Sequence, residues 1–270
     1  MSDNEHNNEM WRQVLTGEAT DLVQMRRVFK LLPANPRCRL CHAPFKGVGG
    51  RFARLAFRRG PSRINPNYCN GCYDFLTGHP GGAEVEMTLL FADIRGSTTM
   101  AQQMGTGEYS QLIKRFYIAA TAVFSETNAW IERLVGDQVI GLYFPLMAGP
   151  HHARAALRGA AQLLRAVGYG GPEEPWLPLG VGVHTGLTFM GMIGTEDGMQ
   201  DFTVLGDTAN TTARLSSVAA AGEALISDTA CAHSGIDASG CEARSLQLKG
   251  RAEPIDVRVA TVERLAALAG

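Results

Sequence analysis

The sequence predicts an α+β protein, an antiparallel-rich sheet with helices on one face, preceded by a small module organised by cysteines. Three observations carry this. From residue 86 onward, apolar runs with strand and helix periods alternate along the chain. Before it, four of the six cysteines form two CxxC pairs, Cys38/Cys41 and Cys69/Cys72, in a stretch with little periodicity. Between the two regions lies "TGHPGGAE" (77–84), a Pro/Gly linker that sets the boundary between a first domain over 1–80 and a second over 84–265.

Residues 10–32 show a broken helical period that ends at Pro33. Residues 33–80 hold too little apolar mass for a core of their own, so the cysteines are expected to organise them. "EMTLLFADI" (86–94) reads as a buried strand, and 97–127 as helical, with Leu112, Phe116, Ala119, Ala120, Val123 and Phe124 on one face. A hairpin follows over 131–144, turning at Gly136-Asp137. A helix is expected over 151–167, strands over 177–186, 187–194 and 202–206, and a helix over 207–219. "ALIS" and "DVRVATV" close the pattern as strands. His151 and His152 open a helix with no partner in view and read as surface residues, and Cys231 and Cys241 as ordinary small ones. There is no internal repeat and no low-complexity tract.

Bulk properties exclude several classes. A net charge of −1 over 270 residues gives no global electrostatic case for nucleic acid or a membrane as partner. No run approaches the length of a spanning helix. "MSDNEHNNEMW" lacks the basic and apolar regions of a secretory signal, so the cytoplasm is the expected location. Cysteines in that setting point to metal or redox chemistry before disulfides.

The chemistry converges on two carboxylates. Asp93 sits where the first strand of the second domain stops, with Ser97 and Thr98 placed to cap the next helix. Asp137 sits at the hairpin tip. Two such carboxylates on neighbouring strands repel unless a cation lies between them, and Mg²⁺ suits a site of one or two carboxylates completed by phosphate oxygens and water. Backbone N–H groups at the start of the following helix can meet phosphate oxygens. This is the logic of two-metal phosphoryl and nucleotidyl transfer.

"FADIRGST", "RLVGDQVIGLYF", "GVGVHTG", "DFTVLGDTANTTARL" and "LKGRAEP" occur in this order, and no P-loop or dinucleotide fingerprint competes with them. From about 84 to 262 the chain resembles the catalytic domain of class III nucleotidyl cyclases, the adenylate and guanylate cyclases. The resemblance implies a ferredoxin-like core working as a head-to-tail homodimer with interfacial active sites. It implies that Asp93 and Asp137, with Ile94, hold two Mg²⁺ or Mn²⁺ ions. It implies that Asn210 and Arg214 act on the transition state, Asn orienting the ribose and Arg meeting charge on the α-phosphate. Their four-residue spacing puts both on one helix face. Lys249 and Arg251 are candidates for the triphosphate.

Two positions of the family choose the purine. The first, four residues before the hairpin aspartate, is Arg133, neither the Lys of adenylate cyclases nor the Glu of guanylate cyclases. Glu132, one residue out of register on a strand, would face the other way. The second is Thr203. Arg133 can donate to adenine N1 and the Thr203 hydroxyl can accept from the adenine amino group, which favours ATP as substrate and cyclic AMP as product. A guanylate cyclase, or a nucleotide-binding regulatory protein without turnover, is the alternative that Arg133 raises.

A second CxxC 27 residues after the first gives the ligand count of a tetrahedral Cys₄ site. Zinc is the first expectation for Cys38, Cys41, Cys69 and Cys72 and an iron–sulfur cluster the second. "CRLCH" also matches a haem attachment sequence, but haem would leave the second pair unexplained. His42 is expected to be a bystander. Between the pairs lie Lys46, Arg51, Arg54, Arg58, Arg59 and Arg63 without an acid, read as a solvated basic face. The module is expected to regulate the cyclase domain. The competing reading makes it primary, sensing redox state or binding nucleic acid, the latter disfavoured by the charge.

Overall fold

The computed structural model describes residues 3–33, 35–194, 200–251 and 253–269. The chain divides into two compact units, Met1–Val85 with Phe189–Val204, and Glu86–Thr188 with Leu205–Gly270. In chain order the elements begin with α1 (Asp3–Thr16), α2 (Thr20–Leu31), α3 (Gly47–Phe57), α4 (Asn70–Gly78) and β1 (Gly81–Ile94). Then come α5 (Ser97–Gln103), α6 (Thr106–Glu126), β2 (Trp130–Val135), β3 (Gln138–Tyr143), α7 (Pro145–Ala148) and α8 (His152–Ala166). The chain continues through β4 (Leu179–Gly194), β5 (Gln200–Leu205), α9 (Asp207–Val218), β6 (Ala224–Ser227) and α10 (Asp228–Ser234). It finishes with β7 (Glu242–Leu246), β8 (Ile255–Ala260) and α11 (Val262–Ala269).

In the first unit, the N-terminal region is two helices rather than one interrupted helix. They separate at Gly17, whose φ of 78° ends α1. Trp11 is fully buried, its rings 5.4 Å from Phe75 and 5.3 Å from Phe202, and its indole N–H donates to the His79 carbonyl. Residues 77–84, expected as a linker, instead hold the last turn of α4 and the start of β1. The region 33–80, which shows little periodicity in sequence, contains α3 and α4.

The sheet runs β2-β3-β1-β4-β6-β8-β7, with β5 paired to β4 off this path. The β1–β3, β2–β3, β6–β8 and β7–β8 pairs are antiparallel, and β4–β6 is parallel. Alternation decides the two faces. Leu90, Ala92 and Ile94 of β1, Val139 and Tyr143 of β3, and Val181 and Val183 of β4 join Phe116, Phe124, Leu157 and Leu164 in the main core. The alanine-rich face of α8 brings that helix close to the sheet. The helices do not all lie on this side: Leu215 of α9 and Ala219 just after it meet Leu225, Val257 and Val259 in a separate cluster. There α9 rests on β4 at Gly182, where a Cβ would stand 2.5 Å from the Ser216 nitrogen and 2.8 Å from the Thr212 oxygen. The two strands expected over 177–194 are one continuous strand, β4.

His152 corrects the sequence reading. It is buried, and its Nδ1 lies 3.0 Å from Thr88 Oγ1, which is 2.7 Å from Thr185 Oγ1. His151 is exposed as expected. Cys231 and Cys241 are buried in the main core. His184 is also buried, its Nδ1 2.8 Å from Ser227 Oγ, and burial holds its pKa down at about 4 from an ordinary 6.5. Below pH 6.5 the unfolded chain therefore takes a proton that the folded chain refuses until about 4. Stability is expected to fall across that window. His184→Asn should remove about one proton from the slope of unfolding free energy against pH, measured by urea titration. An unchanged slope in the variant would show that His184 does not carry it.

Candidate active site and cysteine cluster

β1 and β3 bring the two carboxylates together. Asp93 pairs with Gln138 in the sheet register, and the Ile94 N–H donates to the Asp137 carbonyl at 3.0 Å. The hairpin turns at Gly136, whose φ of 60° is the left-handed value such a turn needs at its first central residue. The Tyr117 hydroxyl donates to the Gly136 carbonyl at 3.0 Å and so holds the tip from α6. Burial pushes the Asp93 carboxyl above the usual carboxylate range; nearby Arg95 opposes this and Asp137 adds to it. Ser97 does not cap α5, whose N-cap is Gly96. Its hydroxyl donates instead to Asp137 Oδ2 at 2.5 Å.

Arg95 was not singled out from the sequence. Its guanidinium bonds the Asp93 carboxylate and, through Nη1, the Ser217 carbonyl at 2.5 Å, near the end of α9. It therefore neutralises one carboxylate and ties it to the helix that carries the next pair. Its one signal was a cation two residues beyond Asp93.

Asn210 and Arg214 lie on α9 away from its buried face of Thr208, Thr211, Thr212, Leu215 and Ser216. Of the two cations in "LKGR", Arg251 is committed to α9, donating to Asp207 Oδ2 at 2.5 Å and Thr211 Oγ1 at 2.6 Å, while Lys249 is exposed. Thr203 lies on β5.

The β2–β3 register slips between Ile131, opposite Gly141, and Arg133, opposite Ile140, leaving Glu132 as the extra residue of a bulge. Ile131 and Leu134 both pack on the main core although they are three apart, so simple alternation fails between them. The expectation that Glu132 faces away from Arg133 fails with it: its Oε1 lies 3.4 Å from the Arg133 guanidinium.

In the first unit the Sγ atoms of Cys38, Cys41, Cys69 and Cys72 all lie within 4.8 Å of one another, and all four residues are buried. The Cys69 N–H donates to Cys38 Sγ at 3.2 Å, and Arg59 Nη1 reaches Cys69 Sγ at 3.7 Å. Hydrogen bonds with Cys38, Cys41 and Cys72 hold the Cys69 thiol low, while those with Cys38, Cys41 and Cys69 push Cys72 up. Such a set holds negative charge only if a cation shares it. Arg26 is buried beside it, lowered to about 10 by burial, and contacts His42 Nε2 at 3.1 Å. His42, its pKa lowered to about 3 by burial, lies outside the ligand set, as expected.

With Asp93 at the end of β1, Asp137 at the adjacent hairpin tip and Asn210 and Arg214 on α9, comparison with known proteins decides the family. A profile described as "Adenylate and Guanylate cyclase catalytic domain" matches residues 83–258. The chain belongs to this cyclase family. The cyclase domain is 27% identical over 138 residues to an adenylate cyclase of Anabaena cylindrica, covering 48% of this chain and 26% of that protein. It is 27% identical over 162 residues to retinal guanylyl cyclase 2 of Rattus norvegicus, covering 58% of this chain and 14% of that one. The match thus spans about a quarter or less of these relatives' length. Among solved structures, the adenylyl cyclase CyaB from P. aeruginosa aligns with TM-score 0.55 at 26% identity, over 66% of this chain and 95% of that one. The guanylyl cyclase Cya2 aligns with TM-score 0.58 at 24% identity, over 66% and 93%. Cyclase domains bind nucleotide substrate, use divalent metals and act as dimers. Both adenylate and guanylate cyclases are among the relatives. Among the described residues no helix is long and apolar enough to cross a membrane.

Proposed function

We propose that this chain converts ATP to cyclic AMP and pyrophosphate as a homodimer, with residues 84–265 as the catalytic domain and 1–80 as a regulatory metal module. The observation that carries the reading is the placement of the Asp137 turn beside the end of β1, where the Ile94 N–H donates to the Asp137 carbonyl and Asp93 pairs with Gln138, with Ser97 bonded to Asp137 and Arg95 to Asp93. Two carboxylates and the Ile94 carbonyl form a hard-oxygen donor set of the kind Mg²⁺ or Mn²⁺ takes. Two such ions, when bound, supply charge neutralisation for the triphosphate and acidify the ribose hydroxyl. In the reaction the ribose 3′-oxygen bonds to the α-phosphorus, the bond to the β-phosphate oxygen breaks, pyrophosphate leaves, and the hydroxyl proton passes to solvent. Asn210 orients the ribose, and Arg214 meets the charge that grows on the α-phosphate. Lys249 is the triphosphate contact, because Arg251 is held by Asp207 and Thr211.

Arg133 and Thr203 read adenine, Arg donating to N1 and Thr accepting from the amino group. A guanylate reading has one observation of its own: the bulge leaves the Glu132 carboxylate beside Arg133, where it could accept from guanine N1–H. Supplying the pure protein with ATP or GTP and identifying the cyclic product separates the two. For the cysteines, a tetrahedral ion with metal–sulfur bonds of about 2.3 Å sets sulfurs roughly 3.8 Å apart. The span within 4.8 Å supports one zinc over a larger cluster. Six cysteines with no disulfide among them support a cytoplasmic setting.

The dimer is testable through its shared site. Asp93 and Asp137 come from one subunit, and Arg133, Thr203, Asn210 and Arg214 from the other. Mixing Asp93→Ala with Arg214→Ala protein is therefore expected to restore up to about a quarter of wild-type activity, since one of two sites in a mixed dimer is undamaged. Absence of rescue in a proven mixed dimer would refute the interfacial arrangement.

A further inference from the structure

The charge of the chain is not spread evenly. Between residues 22 and 73 there are eleven Lys and Arg and no Asp or Glu, although the whole chain has a net charge of −1. α3 lies within this basic stretch and is built inside out. Its inward face is Gly49, Gly50 and Ala53, and the packing there is close: a Cβ at Gly49 would stand 2.5 Å from the Pro33 oxygen, and one at Gly50 2.6 Å from the Phe45 carbonyl carbon. Its large apolar residues point to solvent. Val48 is 81% exposed, Leu55 86% and Phe52 47%, and their i, i+4, i+7 spacing makes one stripe along the helix. Arg51, Arg54 and Arg58, all exposed, run down one flank of that stripe. At the end of the neighbouring α2, Leu31 is 85% exposed. A solvated basic face accounts for the arginines but not for large aliphatic residues turned outward while glycine and alanine face in.

We propose that α3 docks the N-terminal unit on an anionic lipid surface, with Val48, Phe52 and Leu55 entering the interface and the arginines holding the headgroups. An apolar stripe edged by cations is what an interfacial helix needs, and acidic headgroups complement its charge. A second copy is the poorer occupant, because a two-fold contact through this face would set the same uncompensated arginines against each other. Nucleic acid is poorer too, since its phosphates would use the arginines and leave Val48 and Leu55 without a role.

The test is sedimentation of the full metal-loaded chain with vesicles of phosphatidylcholine alone or mixed with phosphatidylglycerol. The chain is expected to bind only the mixed vesicles, less tightly as salt rises. Arg51→Gln, Arg54→Gln and Arg58→Gln together should weaken binding on the order of a hundredfold. Val48→Ser with Leu55→Ser should weaken it at least about tenfold. These side chains are exposed, so metal content and the thermal transition should hold, and Leu55→Ser alone serves if the double variant does not fold. The proposal is overturned if the mixed vesicles do not bind the chain, or if the serine variants bind as tightly as wild type. It is equally overturned if those variants convert a larger oligomer to a smaller one, or if duplex DNA outcompetes the vesicles at equal salt.

Discussion

Alanine at Asp137 or Asp93 is expected to lower cyclisation on the order of a thousandfold, because under the proposed two-ion site each carboxylate would supply several kcal/mol of charge stabilisation through the ions it would hold. The fold should survive. Asp137 lies at a hairpin tip outside the core, and its backbone bond to Ile94 does not depend on the side chain. Losing the Asp93 carboxylate leaves Arg95 its bond to the Ser217 carbonyl. The measurement is initial rate of cyclic nucleotide formation at saturating Mn²⁺, alongside the thermal transition. A variant that melts as wild type does and keeps even about a tenth of the rate would end the metal assignment.

Replacing Cys38 and Cys41 by serine should take bound metal from one ion per chain to none and unfold the surroundings of the cysteines. The buried groups of this stretch are few and small apart from Leu40, Phe45, Tyr68 and Leu76, and binding of a structural zinc contributes roughly 10 kcal/mol or more to folding. Elemental analysis gives the stoichiometry and separates zinc from iron. Hydrogen exchange over 38–76 should lose its protection, while that of α8 and of β4 around Leu179, Val181 and Val183 is retained because their core is built from the second unit's own residues. A metal-free wild type that is still protected over 38–76 would leave the four thiols needing another account, exchange with a disulfide being the next.

Where the sequence carried a period, the fold was legible. β1, α6, the hairpin and α8 come from alternating or helical apolar patterns, and their register then sets Asp93 beside Asp137 without further information. α3 and α4 were not legible, because α3 buries glycine and alanine and its pattern has no apolar inward face to detect. β7, "EARSL", is a polar edge strand with little burial to mark it. His152 looked like a surface residue because its partner, Thr88, lies 64 positions away and is brought near only by the packing of α8 on β1. Ser97 had the right chemistry for a cap, and the folded chain uses the same hydroxyl on Asp137. The Glu132 bulge left no mark in the residue pattern, since a strand read as strictly alternating cannot reveal where one residue has been added.

The contact of α9 with β4 at Gly182 has a consequence for how this domain can drift in sequence. Here main chain meets main chain, so no rotamer change can make room for even one methyl group, and any side chain at 182 must push the helix bodily outward. Asn210 and Arg214 would travel with it, and a misplacement of about 1 Å can cost on the order of a hundredfold in rate. Position 182 is therefore closed to substitution although it touches no ligand, and the accuracy of the site rests on an atom that glycine lacks.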